Sequence, residues 1–415
     1  MPETEPVSRL DRAAFYLAFA ASLAVLFSIA ASQLLLALAF PVLLFSRARL
    51  RLPRIWLPLA VFIAGTLISL ATSEDPTAGL PQLRKLFVFV LLPVVFSAFR
   101  HTSDAARLLQ AWFGAAALSA LVGLGQFAGK LAEARRLRVG FYDYYVSERI
   151  SGFMSHWMTF AGELMIVGLL LASWWLFAPR PRPWVRWLAA VVAALMVAAL
   201  LLNMTRSVWL ATAVGGCYLV WFWKRRLLIA LPLLLAGLLW LGPEPVRARL
   251  VSLVRPKPEV DSNLHRLVCW RTGWRMIQAH PWLGLGPEMV RLRFQDYLPP
   301  DAPQPLPTGW YGHLHNTYLH YAAERGVPTA LAVLWLLAQA FFELAGAARR
   351  LPKACGELRF LLHGSAAVVL AVAVSGLFEH NLGDSEVLML FLAVLACGYL
   401  AVRQSCALLT RPRTE

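Results

Sequence analysis

The feature that most constrains this chain is a series of apolar blocks, each close to the length a bilayer requires. They fall at about 13–30, 32–46, 55–72, 86–99, 106–128, 156–177, 184–203, 207–223, 227–242, 327–347, 360–378 and 385–403. A helix needs roughly 20 mainly apolar residues to cross about 30 Å of hydrocarbon. Lipid also admits only structures that satisfy their own backbone hydrogen bonds. A soluble core would break such runs into shorter amphipathic stretches. Composition agrees: 59% of residues are hydrophobic, mean hydropathy is +0.60 and 15% are charged, where a soluble domain carries about a quarter. The fold expected is therefore an all-α polytopic membrane protein with about 12 transmembrane helices. Only Ala31-Ser32-Gln33 separates the first two blocks, which read either as one long helix or as a tight hairpin. The polar Met1–Arg12 segment precedes a block without a small-residue cleavage pattern, and reads as leading into an uncleaved first helix.

The net charge of +16 does not point to nucleic acid, because most Lys and Arg sit in short clusters between apolar blocks. Such clusters are what the positive-inside rule demands of cytoplasmic connections. With Arg9 and Arg12 cytoplasmic, alternate connections are basic: Arg47 to Arg54, Arg100 and Arg107, Arg180 to Arg186, Lys224-Arg225-Arg226, and Arg349-Arg350 with Lys353. The tail adds Arg411 and Arg413. The chain thus divides into 1–242 with nine helices, a large outer loop at 243–326, and 327–415 with three helices and a cytoplasmic tail. Two outer segments break the charge pattern. Residues 129–155 hold Arg135-Arg136-Leu137-Arg138 and Arg149, and the 243–326 loop holds ten Lys or Arg, several Trp and a run of prolines from Pro299 to Pro307. An amphipathic helix is expected near Leu264–His280, ending before Pro281. Loops of this length are usually functional, and their charges need no topological reason.

Three places carry residues suited to chemistry. Arg206, in Asn203-Met204-Thr205-Arg206-Ser207, sits at the outer boundary between two spans. It reads either as an arginine snorkelling to lipid phosphate or as a guanidinium fork holding a diphosphate. Arg266, Trp270 and Trp274 share one face of a helix, as an interfacial helix would without any catalytic role. The third place is Tyr311-Gly312-His313-Leu314-His315-Asn316 through His320, where the loop re-enters the membrane. No two of its histidines have the i, i+4 spacing of a helical zinc site, so a general base is the better reading. His315 is preferred, with Asn316 beside it to orient a polar substrate; His320 would face elsewhere on a helix starting at Asn316. The five cysteines show no CxxC spacing and suggest neither a metal site nor a disulfide framework. Glu163 lies about two turns inside a span, and Glu379, His380 and Asp384 lie on the outer side, able to orient arginines as readily as to touch substrate.

His315-Asn316, nine residues, then Gly326-Val327-Pro328-Thr329 resembles the motif of O-antigen ligases. Arg266…Trp270 followed by His280-Pro281-Trp282-Leu283-Gly284-Leu285-Gly286 resembles the large periplasmic loop of the wider ligase and polymerase family. Thr205-Arg206-Ser207 and Arg149-Ile150-Ser151-Gly152-Phe153 are similar as well, with Asn381-Leu382-Gly383-Asp384 a weaker addition. The likeness covers about 145–330. It implies a metal-independent glycosyltransferase of GT-C-like architecture in the bacterial inner membrane, with its active site facing the periplasm. Such an enzyme takes glycan from undecaprenyl diphosphate and joins it, with inversion, to a sugar hydroxyl of lipid A–core, using no cofactor. The family's arginines map to Arg206 and Arg266 and its histidine to His315; Arg149, Asn316 and His313 are the further expected substrate contacts. An O-antigen polymerase or a protein O-oligosaccharyltransferase would use the same donor. A secondary transporter of an anionic substrate is the alternative of another class, but it calls for charged or Gly/Pro-broken spans near the midplane. Here most outer ionisable groups sit at one interface instead.

Overall fold

The computed structural model describes residues 8–252 and 263–409; Ser262, Arg411 and Arg413 lie outside them. The described residues are helical and contain no strand. Among the described residues, seven helical segments are long and apolar enough to cross a membrane: Pro76–Ala98, Thr102–Leu137, Trp157–Phe177, Pro183–Leu202, Thr317–Arg350, Gly356–Ser375 and Ser385–Leu408. Ile29–Phe45 and Trp56–Ala71 are apolar but shorter, and Arg9–Ala24, Arg206–Lys224 and Leu231–Leu241 are further helices that coincide with apolar blocks.

The first two blocks form a hairpin, and its turn falls earlier than the sequence placed it. Arg9–Ala24 ends at Val25 and Ile29 opens the next helix, capped by the Ser28 hydroxyl. Ser32, expected in the connection, lies inside the second helix and donates its hydroxyl to Ala21 O at 2.7 Å. Ser at an N-cap outweighs a polar residue one turn later, because it satisfies an otherwise orphan backbone N–H.

The helix order puts the basic clusters together at one end. Arg100 pairs with Asp11 at 2.9 Å. Arg51 N–H donates to Ser97 Oγ at 2.8 Å, and Gln339 Nε2 donates to Arg54 O at 3.2 Å. Thr102 Oγ1 meets Gln404 Oε1 at 2.9 Å. The opposite end collects the start of Trp157–Phe177, the end of Pro183–Leu202, the starts of Arg206–Lys224 and Thr317–Arg350, and the end of Gly356–Ser375.

Between these ends the outer segments are tied to the helices by backbone contact. The expected amphipathic helix is present as Asn263–Ala279. After it, the 280–286 glycine stretch docks on the 323–327 segment. Val327 N–H donates to Pro281 O at 2.8 Å, Leu285 N–H to Ala323 O at 2.9 Å and Gly286 N–H to Glu324 O at 2.8 Å. Gly326 breaks the long Thr317–Arg350 helix with φ 80°, ψ 158°, at the boundary that the sequence placed between loop and span. Its missing side chain is what lets the two stretches of chain meet: a Cβ there would lie 1.9 Å from Trp282 O. At Gly284, φ +70°, a Cβ would lie 2.3 Å from the Glu324 carbonyl carbon. Positive φ and backbone-to-backbone approach both demand glycine.

Gly326→Ala should therefore lower stability by at least about 1–3 kcal/mol, the usual cost of a forced unfavourable backbone. Gly125, inside Thr102–Leu137, provides the contrast, because a Cβ added there would meet nothing within 4 Å. Gly125→Ala should be neutral or stabilising by roughly 0.5–1 kcal/mol. Thermal unfolding of the two variants in detergent checks both, and equal melting behaviour would contradict the interlock.

Candidate functional site

The site is assembled where the Thr317–Arg350 helix begins. Asn316 caps that helix, its side-chain oxygen accepting from Tyr318 N–H and Leu319 N–H, both at 2.9 Å. Its Nδ2 donates to Leu377 O at 2.9 Å. Both halves of the amide are thus spent on backbone, and the role that the structure gives Asn316 is positioning. Thr317 continues the seam: its N–H donates to Gly376 O at 2.8 Å, and its hydroxyl to Glu379 O at 2.9 Å. Asn381 Oδ1 stands 3.0 Å from that hydroxyl. The seam fixes the 376–381 turn against the residue preceding the cap, which is His315.

His315 itself takes φ 48°, a left-handed conformation uncommon outside glycine and typical of strained functional positions. Its Nδ1 lies 3.3 Å from Glu379 Oε2 and its Nε2 lies 3.2 Å from Trp310 O. The other Glu379 oxygen makes an ion pair with Arg266 Nη2. His315 and Arg266 keep 13% and 18% of their side chains exposed, while Glu379 keeps 4%. Burial pushes the Glu379 carboxyl up, but the Arg266 charge and the His315 contact outweigh it, and its pKa falls below the ordinary value of 4.5. The carboxylate is ionised, holds the guanidinium, and faces the imidazole. A His with a carboxylate on one nitrogen and a reachable second nitrogen is the arrangement of a general base.

His313 stacks edge-on against His315 with ring centroids 4.2 Å apart, and its Nδ1 accepts from His315 N–H at 3.3 Å. Burial, then the neighbouring His315, lowers its pKa to about 3, so it stays neutral. His320 is buried and packs on His380, with centroids 4.0 Å apart. As expected it faces away from His315, toward Glu324 at 3.4 Å.

Two further arginines gather on the 203–206 turn. Met204, at φ 58°, presents its carbonyl to both Arg149 Nη1 at 3.4 Å and Arg249 Nε at 3.1 Å. Arg149 also donates to Thr205 Oγ1 at 3.3 Å and lies over the Trp157 ring at 5.0 Å. Desolvation, followed by the nearby Arg249 charge, pulls its pKa down to about 9; Arg266 adds to this, while Glu379 and Tyr145 oppose it. An excess of positive field over one carboxylate is the electrostatic form of an anion site. Arg206, buried, donates to Ser252 O at 3.2 Å, Ser252 Oγ at 3.1 Å and Asn263 Oδ1 at 2.7 Å. It thereby anchors the first residue of the helix that carries Arg266.

The structure brings His315, His313 and Arg266 into one cluster around Glu379, and sets Arg149 and Arg206 on the adjoining turn. Sequence reasoning missed Arg249, whose signal is weak because nothing about an arginine in a long loop marks it as buried. It also passed over the neighbourhood of Cys269. Cys269 Sγ lies 3.7 Å from His265 Nε2, and these two with His315 form a group of ligand-type side chains whose donor atoms all lie within 4.8 Å. Searching for His–His spacing alone passed over this i, i+4 His–Cys pair.

Residues 191–334 match the family model for O-antigen ligase. The segment includes Arg206, Arg249, Arg266, His315 and the Gly326 motif, and it leaves Arg149 and Glu379 outside. No curated protein matches the chain.

Because Glu379 is more acidic folded than unfolded, its contribution to stability is complete above about pH 4.5 and is lost as pH falls through its lowered folded value. Wild-type melting temperature should fall on that acid limb, and Glu379→Gln should flatten the limb while costing roughly 3 kcal/mol at neutral pH, since Arg266 loses its buried partner. An unchanged acid limb in the variant would show that the carboxylate is not held as described.

Proposed function

We propose, on the O-antigen ligase family assignment that residues 191–334 carry, that this chain is a membrane glycosyltransferase working from a lipid diphosphate donor. The donor is undecaprenyl diphosphate-linked O-antigen glycan, and the acceptor is a sugar hydroxyl of lipid A–core. The protein lies in the bacterial inner membrane with the basic connections cytoplasmic and the His315 end periplasmic, in the sense the positive-inside rule requires.

The observation that carries this reading is the shared carboxylate: Glu379 faces His315 on one oxygen and Arg266 on the other. In the proposed reaction the acceptor hydroxyl reaches His315 Nε2 in place of the Trp310 carbonyl. As its oxygen bonds to the anomeric carbon, its proton passes to Nε2, and the bond from that carbon to the diphosphate oxygen breaks. The electron pair leaves with the diphosphate. Glu379 then faces the Nδ1–H of an imidazolium and stabilises the charge His315 has gained, as the carboxylate of a catalytic triad does. The leaving group gains negative charge, and fixed guanidinium groups stabilise such charge without a divalent cation. Arg266, Arg149 and Arg206 are the groups assigned to this task, and we add Arg249, which shares the Met204 carbonyl with Arg149. One displacement from the face opposite the diphosphate inverts the anomeric centre.

His315→Ala, made in cells lacking the native protein, should abolish glycan-capped lipopolysaccharide while the protein still inserts. Arg266→Lys should remove most of it, because an ammonium point charge does not reproduce the bidentate fork. Lipopolysaccharide profiles on gels, with the lipid-linked polymer measured alongside, read the result. Undiminished capping in His315→Ala would end the base assignment, and single capped repeats in a deletion strain would mark a polymerase instead.

A further inference from the structure

His265 and Cys269, which the proposed glycosyl transfer does not use, form a group of ligand-type side chains with His315. His265 and Cys269 lie one turn apart on the Asn263–Ala279 helix and both are fully buried, at 3% and 0% exposure. The Gly309–Tyr311 segment closes over them: a Cβ on Gly309 would lie 2.5 Å from the His265 ring, and the Tyr311 ring meets that ring edge-on at 4.5 Å. The His265 and His315 rings stand 4.9 Å apart at 74°. Two imidazole nitrogens and a sulfur within 4.8 Å of one another are donors of the type that zinc and similar borderline-soft ions prefer.

The spacing suits such an ion. Zn–N bonds of about 2.0–2.1 Å and a Zn–S bond of about 2.3 Å place N and S roughly 3.5 Å apart on a tetrahedral edge. The His265 Nε2 to Cys269 Sγ distance of 3.7 Å is within a small adjustment of that. His315 is also oriented for it. With Nδ1 turned to Glu379 at 3.3 Å, its Nε2 is the nitrogen that would take the metal in exchange for the Trp310 carbonyl at 3.2 Å, and a ligating histidine whose other nitrogen meets a carboxylate is the usual supported arrangement.

We propose that His265, Cys269 and His315 form an inhibitory site for Zn²⁺ or a like divalent transition-metal ion. Binding releases the Cys269 thiol proton to solvent as the thiolate ligates, and it occupies the lone pair by which His315 would accept the proton of the acceptor hydroxyl. The ion also brings positive charge beside Arg266, which needs Glu379 for itself. The inhibitory consequence rests on the base assignment of His315, but the binding does not.

The test uses the purified full-length protein in detergent. It is titrated with Zn²⁺, with bound metal measured after desalting and glycan transfer measured in parallel. Wild type should retain one Zn²⁺ per chain, lose transfer as the site fills, and recover it fully with a chelator. Cys269→Ala should transfer glycan normally in metal-free buffer, bind Zn²⁺ at least ten-fold more weakly, and resist inhibition to the same degree. His265→Gln should show the same loss of binding, and the two variants together keep the result readable if one fails to fold. Wild type without stoichiometric Zn²⁺, or Cys269→Ala binding as tightly as wild type, overturns the site. Stoichiometric binding with no effect on transfer would leave the metal site standing and remove His315 from the base role.

Discussion

One buried carboxylate organises the outer end of this protein. Glu379 is almost wholly out of water, where an isolated charge is costly, and it is kept ionised by Arg266 and the imidazole of His315. Each of the three is needed by the other two. Arg266 without Glu379 would be a desolvated cation among other arginines, and His315 without it would have no partner for the charge gained on taking a proton. Such a network is worth retaining at a stability cost when it fixes one geometry. Here it fixes the His315 imidazole and the Arg266 guanidinium on the two oxygens of one carboxylate.

The network depends in turn on backbone locking. Asn316 and Thr317 seat the start of one spanning helix on the 376–381 turn, which is how His315 and Glu379 come to face each other across 64 residues. A second lock, between the 280–286 stretch and Gly326, ties the helix carrying Arg266 to that same spanning helix. The glycines at 284 and 326 work by what they lack, since a Cβ at either would strike backbone. Motifs that look like separate signatures in the chain are two faces of one contact.

The many-helix fold was legible because hydrophobic length is a local property, read directly from runs of residues such as 385–403. The expected orientation rests on an equally local signal, short clusters such as Lys224-Arg225-Arg226. The amphipathic helix before Pro281 and the break at Gly326 also announce themselves locally. What sequence alone did not carry is partnership. Glu379 was visible only as an acid able to orient arginines or to touch substrate, and its two partners lie 64 and 113 residues away. Asn316 read as a substrate group because it adjoins His315, whereas its capping role needs the position of the helix start. Arg249 and the Cys269 grouping depend on how a long loop folds back, which no periodicity records. The first hairpin turn was misplaced by a few residues because Ser28 and Ser32 are equally polar, and only packing against Ala21 decides between them.

The chemistry we propose for these residues is a single displacement at the His315 end of the molecule. Its most direct test is the stereochemistry of the product formed by purified protein from an undecaprenyl diphosphate-linked glycan of known anomeric configuration and lipid A–core. NMR of the new linkage should show the inverted configuration, as attack opposite a diphosphate held by arginines requires. A retained configuration would mean a covalent or otherwise two-step route, and would contradict the roles given to His315 and its carboxylate.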